Sequence, residues 1–368
     1  MSSVFRATGE QVGFLRESPE LWASRLEAAV QKGRLDSLPF IQTIGHAVAH
    51  AYTGWISHPL VAVESEESWT GGQFLVRRLP GPLGQIAYLP RAPLTIAPDS
   101  GSAHRTRTAF ARAIVSLRAE DVSMVRLELG DHVPIPKSED PVRPAEGLVA
   151  SLRSEWGQDL AQSGLPLHAA DCIQPRSSQL IDLRPGIDAV VAAYDPELRR
   201  YAAQAAGSGL RAVVASTHDA PIALKEIMDA VAARTGIRKR AAAYYSNLIA
   251  SHGHAAEVLV VRDERSALLG AHLAIGTMTT ATHLMGGATN EGLARRVPVL
   301  LQGEAIRRAV ERGACEFDLW GLPTLGLATN KAKWGGTAYA YAGAFDLDLD
   351  RLRAPIIRAA LRMRGFGA

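Results

Sequence analysis

The stretch of sequence that decides the fold lies near the C-terminus and has three parts: EFDLWGLP at 316–323, NKAKWGG at 330–336 and AYAYAGAFDLDLD at 338–350. The first part is a short apolar run that ends in turn residues. The third part alternates aromatic residues with alanine. Both patterns are typical of strands bounded by turns, so the middle part is expected to be a connection between two strands.

The connection contains residue types that suit an anion. Lys331 and Lys333 flank a small residue, and Gly335 and Gly336 follow them. Because glycine has no side chain, its backbone N–H can approach a ligand closely, and a cation beside such amides suits an anion or a developing oxyanion. The alternative is an ordinary glycine hairpin with two solvated lysines.

The rest of the chain indicates two similar α/β units. In the first half, apolar periodicity and turn residues predict a helix at 40–55, strands at 60–63, 72–79 and 85–90, a helix at 104–119 and a strand at 122–129. In the second half they predict a helix at 187–206, a strand at 211–215, helices at 220–235 and 240–252, strands at 256–262 and 267–277, and a helix at 303–313. This is the order of an acetyltransferase-like unit. A final helix is predicted at 352–363.

The motifs in their order resemble the Fem peptidyltransferases, which transfer amino acids from aminoacyl-tRNA onto peptidoglycan precursors. The resemblance rests on collinear segments along nearly the whole chain: FIQTIGHAVAHAYTGW from Phe40, YLPRAPLTI from Tyr88, IQPRSSQLIDL from Ile173, LRRYAAQAAGSGL from Leu198, GIRKRAAAYYSNL from Gly236 and the segment from His283 to the C-terminal motif. It implies an α/β fold of two tandem acetyltransferase-like (GNAT) domains, with mixed, mostly antiparallel sheets flanked by helices and no coiled-coil arm. The resemblance implies a first domain at 1–172 with 345–368, in which the C-terminal helix returns to pack on the first unit, and a second domain at 173–344.

Bulk composition is compatible with this resemblance without deciding it. Hydrophobic residues make up 47% of the 368 residues, which is ordinary for a globular protein. No apolar run approaches the roughly 20 residues that span a bilayer, and MSSVFRATGEQ at the N-terminus lacks a signal-peptide core, so the cytoplasm is the expected compartment. Peripheral membrane contact stays possible. Cys172 and Cys315 are too far apart for a metal-binding motif, and no metal is expected.

The sequence disfavours acetyl-CoA as the acyl donor. An ordinary acetyltransferase needs a glycine-rich turn that opens a helix and binds the pyrophosphate through backbone N–H groups. The corresponding segment here is ARRVPVLLQ at 294–302, in which Pro298 removes a donor and no Gly-x-Gly follows. We therefore expect no cofactor, with aminoacyl-tRNA as the co-substrate.

Transfer from an aminoacyl ester needs little machinery, because the ester is already activated. The attacking amine must lose a proton, and negative charge builds on the carbonyl oxygen. Lys331, with the amides of Gly335 and Gly336, is the candidate to stabilise that charge. Asp318 is the candidate catalytic carboxylate that accepts or orients the amine, or alternatively a turn acceptor for the following loop.

The resemblance also implies substrate-binding positions. The family lysine that holds phosphate is matched by His50, and Arg91 lies in the family's Pro-Arg strand. Arg199 matches a family arginine and Tyr244 a family tyrosine. A neutral histidine binds an anion more weakly than a lysine, which weakens the implied muropeptide contacts. The separate cluster Arg238, Lys239 and Arg240 is the candidate tRNA contact, although charge runs are usually solvated.

Three functions remain open from the sequence. The first is amide-bond formation between an amino acid from aminoacyl-tRNA and an amine of a peptidoglycan precursor. The second is the same transfer onto an amine of a small-molecule natural product. The third is a CoA-dependent N-acyltransferase or a non-catalytic relative that binds a precursor.

Overall fold

The computed structural model describes residues 4–5 and 12–363, and the N-terminal segment discussed above lies, apart from residues 4–5, outside them. Contacts divide the chain into two compact units. Unit 1 comprises residues 1–35, 41–177 and 339–368, and unit 2 comprises residues 36–40 and 178–338. The domain limits expected from the sequence lie a few residues from these unit limits and stay a prediction.

Unit 1 begins with a run of strands and helices, and all of these strands except His132–Pro134 belong to one sheet, which helices cover. The strands are β1 (Val4–Phe5), β2 (Gly13–Arg16), β3 (Ile56–Ser65), β4 (Ser68–Arg78), β5 (Gln85–Leu89), β6 (Leu94–Ile96), β7 (Val122–Glu128), β8 (His132–Pro134) and β9 (Leu167–Ala170). The helices are α1 (Pro19–Gln31), α2 (Ile44–Ala51), α3 (Ser100–Ile114) and α4 (Ala150–Ala161). Local sequence fixes their starts: Asp99 caps α3 by accepting the Ser102 N–H at 2.8 Å.

Unit 2 supplies the next elements along the chain. Its strands are β10 (Ser177–Asp182), β11 (Ala212–Val214), β12 (Ala256–Arg262), β13 (Leu268–Gly276), β14 (Thr280–Ala288), β15 (Glu316–Asp318) and β16 (Thr337–Tyr341). Its helices are α5 (Ile187–Ala192), α6 (Pro196–Gly207), α7 (Asp219–Thr235), α8 (Ala242–His252), α9 (Asn290–Ala294), α10 (Val297–Glu311) and α11 (Leu325–Ala332). The sheet order is β11-β12-β13-β14-β15-β10, in which β14 and β15 are parallel.

The chain then returns to unit 1 with β17 (Ala344–Asp348) and α12 (Arg353–Met363). β17 lies between β7 and β9 and completes the order β1-β2-β3-β4-β5-β7-β17-β9. Ala354 and Ile357 of α12 pack on Ile86 and Met124 of the sheet. α12 thus lies against the sheet of unit 1.

Each unit has its own apolar core. In unit 1, α3 and α4 cover one sheet face, where Phe74 and Phe110 stack at 6.0 Å between ring centroids and Trp156 is fully buried. In unit 2, α10 crosses the sheet and buries Leu301 and Ile306 against it. Two separate cores of this kind let each sheet hold its strands in a fixed register.

The structure corrects two local predictions. The helix predicted over 187–206 is two helices, because Asp195 and Pro196 stop the first and cap the second. Lys331 was expected in a connection between turns, but it lies on α11. Thr324 caps α11 by accepting the Leu327 N–H, and the Gly335-Gly336 pair follows the helix, so local capping chemistry explains this helix.

None of the helices in the described part of the chain has the length and hydrophobicity that crossing a bilayer requires. The longest of them, α7, has 17 residues.

Candidate active site

Lys331 is held by the loop that follows β15. Its ammonium donates hydrogen bonds to the carbonyl oxygens of Trp320 and, at 2.6 Å, Gly321. Burial lowers the pKa of Lys331 to about 8, although the nearby Asp318 carboxylate favours the charged form. A lysine with a pKa of about 8 is mostly charged at pH 7 and loses its proton as the pH rises through 8.

Asp318 stabilises the same loop from the other side. It is 6% exposed, and it accepts hydrogen bonds from the Ser178 hydroxyl and, at 2.7 Å, from the Trp320 N–H. Trp320 has a φ of 56°, which is unusual for a residue with a side chain. Asp318 thus performs the turn-acceptor role that the sequence left open, and its action on a substrate amine stays a prediction.

Gly335 and Gly336 end α11 and allow two backbone segments to pack closely, and they do not line an open site. Both residues have positive φ, and the Gly335 N–H donates to the Ala332 carbonyl at 3.1 Å, which ends α11. A Cβ on Gly336 would overlap the Leu180 carbonyl oxygen. Contrary to the sequence-based expectation, the Gly335 amide is therefore engaged in the helix end, and Gly336 is required for close packing of two backbone segments.

A cavity of about 360 Å³ opens in unit 2 beside this motif. Its walls come from α6, β13, β14, the start of α10 and the end of α11; among the lining residues are Tyr201, His283, Gly286, Gly287, Gln302 and Trp334. β14 and β15 pair only over Thr280–Thr282 and Glu316–Asp318, and β14 continues to Ala288 past the end of this pairing. The register of β13 with β14 also shifts beside His283, which is the kind of bulge that often borders active sites.

A pair of histidines forms part of the cavity floor. The Nδ1 of His283 lies 2.6 Å from the Nε2 of His272, and the same Nε2 lies 3.3 Å from the Oε1 of Gln302. Burial lowers the pKa of His272 to about 4. Burial also lowers the pKa of His283 well below its usual value, and the charges of His272 and Lys331 act in the same direction. Both imidazoles are therefore neutral at pH 7.

Positive charge and aromatic rings lie at the cavity rim. The guanidinium of Arg296 lies 4.1 Å from the ring centroid of Tyr201. The Tyr201 hydroxyl donates to Glu197 at 2.6 Å, and Glu197 pairs with Lys333 at 2.5 Å. Trp334 packs against Tyr194 at 5.0 Å between ring centroids. A polyanion with stackable bases would find both kinds of partner here.

The start of α10 does not fit the pyrophosphate of acetyl-CoA. Pro298 occupies one of the first two helical positions and has no N–H. The N–H groups of Val299 and Leu300 donate to the Arg296 carbonyl at 3.0 and 3.4 Å. Three of the backbone positions in this first turn thus offer a pyrophosphate no free donor, because Pro298 lacks an N–H and those of Val299 and Leu300 are engaged.

Two predicted binding residues lie in unit 1. His50, half-buried near the end of α2, lies 4.4 Å from His46 between ring centroids. Arg91 is 3% exposed; its guanidinium lies 3.2 Å from the ring centroid of Tyr341 and donates to the Pro175 carbonyl. Arg91 has a structural role in this unit, and its contact with a substrate stays a prediction.

The other predicted residues lie on the surface of unit 2. Arg199, on α6, is exposed and donates to the Ala192 carbonyl at 3.3 Å. Tyr244 is 39% exposed, and the Arg240 guanidinium lies 5.3 Å from its ring centroid. The basic cluster at 238–240 is exposed between α7 and α8, as RNA contact would require, and its binding stays a prediction.

Sequence reasoning missed the histidine pair, Gln302 and Arg296. It also did not single out Gly286 and Gly287, which belong to β14 and line the cavity. The available signal was a histidine within each of two neighbouring apolar strands, since a buried polar side chain requires a partner.

Comparisons with known proteins agree with this architecture. Residues 193–324 match the acetyltransferase (GNAT) domain family. A crystal structure of FemX is 15% identical, with a TM-score of 0.75 over 94% of this chain and 99% of that chain. A tandem GNAT protein from the clavulanic acid biosynthesis pathway, solved without AcCoA, is 13% identical, with a TM-score of 0.52 over 92% of this chain and 99% of that chain.

A conserved protein of unknown function from Bacteroides thetaiotaomicron is 6% identical, with a TM-score of 0.55 over 91% of this chain and 99% of that chain. Among curated proteins, none matches the sequence significantly. At these identities the structural likeness is one of fold. The resemblance read from the sequence is confirmed at that level: the chain has the Fem-type tandem GNAT fold, and its residues 193–324 match the model of the acetyltransferase (GNAT) domain family.

Proposed function

We propose that this protein is an aminoacyltransferase that takes an amino acid from aminoacyl-tRNA and joins it to an amine through an amide bond. The observation that carries the proposal is Lys331, a buried cation of lowered pKa beside a cavity with a cationic rim. The misfit of the α10 start with a pyrophosphate favours this donor over acetyl-CoA.

The proposed reaction needs only groups that the substrates and the chain supply. The acceptor amine nitrogen bonds to the ester carbonyl carbon, and the carbonyl oxygen takes the negative charge. The bond from that carbon to the tRNA ribose oxygen then breaks, and the amine proton ends on the ribose oxygen. Lys331 stabilises the charge on the carbonyl oxygen, which is the step where a fixed cation lowers the barrier most.

The rim suits a nucleic-acid donor. Arg296 and Lys333 line the cavity and supply positive charge where the 3′ end of a tRNA would enter. Tyr201 and Trp334 supply aromatic surface for an unpaired base. We place the aminoacyl ester inside the cavity and the polynucleotide outside it.

The acceptor is proposed to be a peptidoglycan precursor, by resemblance to the Fem peptidyltransferases. The second candidate is an amine of a small-molecule natural product. It is favoured by His50, which stands beside His46 where the family has a phosphate-binding lysine.

The test is transfer of radiolabelled amino acids from a pool of charged tRNAs. One reaction contains a lipid-linked muropeptide as the acceptor, and a second contains a small-molecule extract. A third reaction contains 14C-labelled acetyl-CoA in place of charged tRNA, with the same acceptors. RNase-sensitive label on the muropeptide would support transfer onto a peptidoglycan precursor. RNase-sensitive label that is found only in the extract would support transfer onto a small molecule. Label from acetyl-CoA alone, or no label in any reaction, would contradict the proposed donor.

A further inference from the structure

The buried histidine pair of unit 2 has no role in the reaction as described so far. His283 lies on β14 and lines the cavity, while His272 lies on β13 and is 3% exposed. They are joined through the Nδ1 of His283 and the Nε2 of His272. The hydrogen bond described for His283 thus uses Nδ1, which leaves Nε2 as the nitrogen available to a ligand.

Gln302 determines which nitrogen of the pair carries hydrogen. Its Oε1 only accepts, and it lies 3.3 Å from the Nε2 of His272, so that Nε2 bears the proton. The same N–H points to the Nδ1 of His283 at 2.6 Å, which must then accept. A neutral imidazole that accepts at Nδ1 carries its hydrogen on Nε2. His283 therefore presents an N–H to the cavity.

The opposite arrangement is disfavoured by what surrounds His272. Its Nδ1 is buried without a hydrogen-bond partner. If the proton sat on that Nδ1, a donor would be buried with no acceptor, which costs free energy. The arrangement set by Gln302 leaves no ring N–H of His272 without an acceptor, although the side-chain nitrogen of Gln302 is itself buried without a partner. It also fixes the orientation of His283.

The charges around the pair keep it neutral. Lys331 on α11 acts on His283, and Glu257 on β12 acts on His272 in the opposite direction without outweighing burial. Arg296 and Lys333 also line the cavity, and the charge of Lys333 is balanced by its pair with Glu197. A neutral N–H that stays protonated through the physiological range is a suitable donor to a carbonyl oxygen, as known neutral imidazoles in active sites illustrate.

We propose that the Nε2–H of His283 donates a hydrogen bond to the ester carbonyl oxygen of the aminoacyl donor and stabilises the oxyanion that forms when the amine attacks. This inference rests on the proposed function. The proton of His283 stays on its nitrogen throughout, so His283 is a catalytic hydrogen-bond donor and transfers no proton. His272 and Gln302 are positioning residues, because they act only through the orientation and tautomer of His283.

The space beside His283 fits this role. Gly286 and Gly287 present no side chains to the cavity, and the register shift in β14 lies next to His283. A carbonyl group that enters the cavity between these two glycines and His283 would meet the imidazole N–H. The charge of Lys331 acts on the same region. Two donors of different kinds would thus share one developing charge.

The experiment combines ring-nitrogen NMR with two substitutions at one position. Histidine labelled with 15N reports whether the Nε2 of His283 carries hydrogen, and the His283→Gln spectrum assigns the signal. His283→Ala should lower kcat roughly 100-fold, because one oxyanion donor is lost. His283→Gln restores an N–H near the Nε2 position and should recover most of that loss, with an unchanged KM for charged tRNA.

Positioning is tested with Gln302→Leu. We expect its His283 signals to move toward a mixture of tautomers and its kcat to fall less than in His283→Ala. Melting temperatures of all variants show whether the fold is intact. A bare Nε2 in the wild-type protein would overturn the inference.

Kinetic outcomes separate this inference from the proposed function. If the wild-type protein transfers label but His283→Ala is as active, only the role of His283 is wrong. If His283→Gln is as inactive as His283→Ala, His283 moves a proton, and the donor role is wrong. If the wild-type protein shows no RNase-sensitive transfer, the proposed function fails and this role fails with it.

Discussion

In unit 1, β5 and β7 run parallel and stay paired from Gln85 to Leu89, whereas in unit 2 the corresponding strands β14 and β15 pair over three residues only. The longer pairing closes the sheet of unit 1 at this point. In unit 2, β14 continues past the pairing, and its free portion lines the cavity that contains His283. One fold, used twice, thus provides a closed sheet in one unit and an open one in the other.

Two regions, one in each unit, bury ionisable groups in different ways. In unit 1, Arg126 and Asp346 form a fully buried bidentate pair on adjacent strands, at 2.8 and 2.9 Å. In unit 2, the buried ionisable groups near the cavity are Lys331 and the histidine pair, whose pKa values are all lowered. Satisfied charge pairs are typical of a scaffold, and perturbed groups beside a cavity are typical of a functional site.

The largest effect expected from this comparison is on the stability of unit 1. Arg126→Met leaves the Asp346 carboxylate buried, with Arg358 at 3.5 Å as its remaining partner. We expect a loss of about 3 kcal/mol in the free energy of unfolding, measured by urea titration. The double variant Arg126→Met/Asp346→Leu should recover much of it, because no charge is then left unpaired.

Arg308→Met in unit 2 is the matched control, since Arg312 still pairs with Glu257. It should cost about 1 kcal/mol or less. Equal losses in the two units would contradict the distinction drawn here.

The next largest effect is on transfer in unit 2. Lys331→Ala should lower turnover by more than roughly tenfold while the fold stays intact, because the cation near the developing oxyanion is lost. The control is Lys225→Ala, which removes an exposed lysine on α7 that pairs with Asp229. Turnover that does not change in Lys331→Ala would remove this lysine from the mechanism.

A smaller effect is expected from filling the cavity. Leu293 is 38% exposed and lines the cavity, so Leu293→Trp should occupy part of it with little cost to the fold. We expect a several-fold higher KM for charged tRNA. Ala170→Trp places the same side chain beside a cavity of unit 1 and should leave that KM unchanged. If both variants behave alike, the open sheet is not the donor site.

The smallest effect is a pH dependence. The charged form of Lys331 is the active one, and Lys331→Arg keeps that charge at higher pH. The ratio of the wild-type rate to the Lys331→Arg rate, in which the titration of the acceptor amine cancels, should therefore be constant well below pH 8 and fall as the pH rises through the pKa of about 8. Single-turnover transfer from pH 6.5 to 9 measures both rates, with a parallel incubation that corrects for ester hydrolysis. A ratio that is level across pH 8 would contradict the role of the ammonium.

Much of the fold could be predicted from the sequence because it depends on local patterns and on motif order. Strands such as 256–262 and helices such as 220–235 showed clear periodicity, and the collinear motifs implied the tandem fold. The helix around Lys331 was missed because its eight residues carry a weak apolar pattern between two glycine-containing turns. Its cap at Thr324 was the signal that could have identified it.

The site was less predictable because it depends on contacts between distant positions. Lys331 was identified from residue type and order, but its lowered pKa arises from burial that only the folded chain shows. His272 and His283 are 11 residues apart and meet because β13 and β14 form a hairpin with a register shift. No single motif encodes that geometry.

The return of the chain to unit 1 has a consequence for synthesis on the ribosome. β17 lies between β7 and β9, so an interior strand of the unit 1 sheet is translated after all of unit 2. A nascent chain that ends before residue 344 exposes the edges of β7 and β9, and open strand edges favour association with other chains. Unit 2 is nearly continuous and can fold during translation, whereas unit 1 must wait for the last part of the chain. Truncations near the C-terminus should therefore aggregate rather than yield a stable first unit.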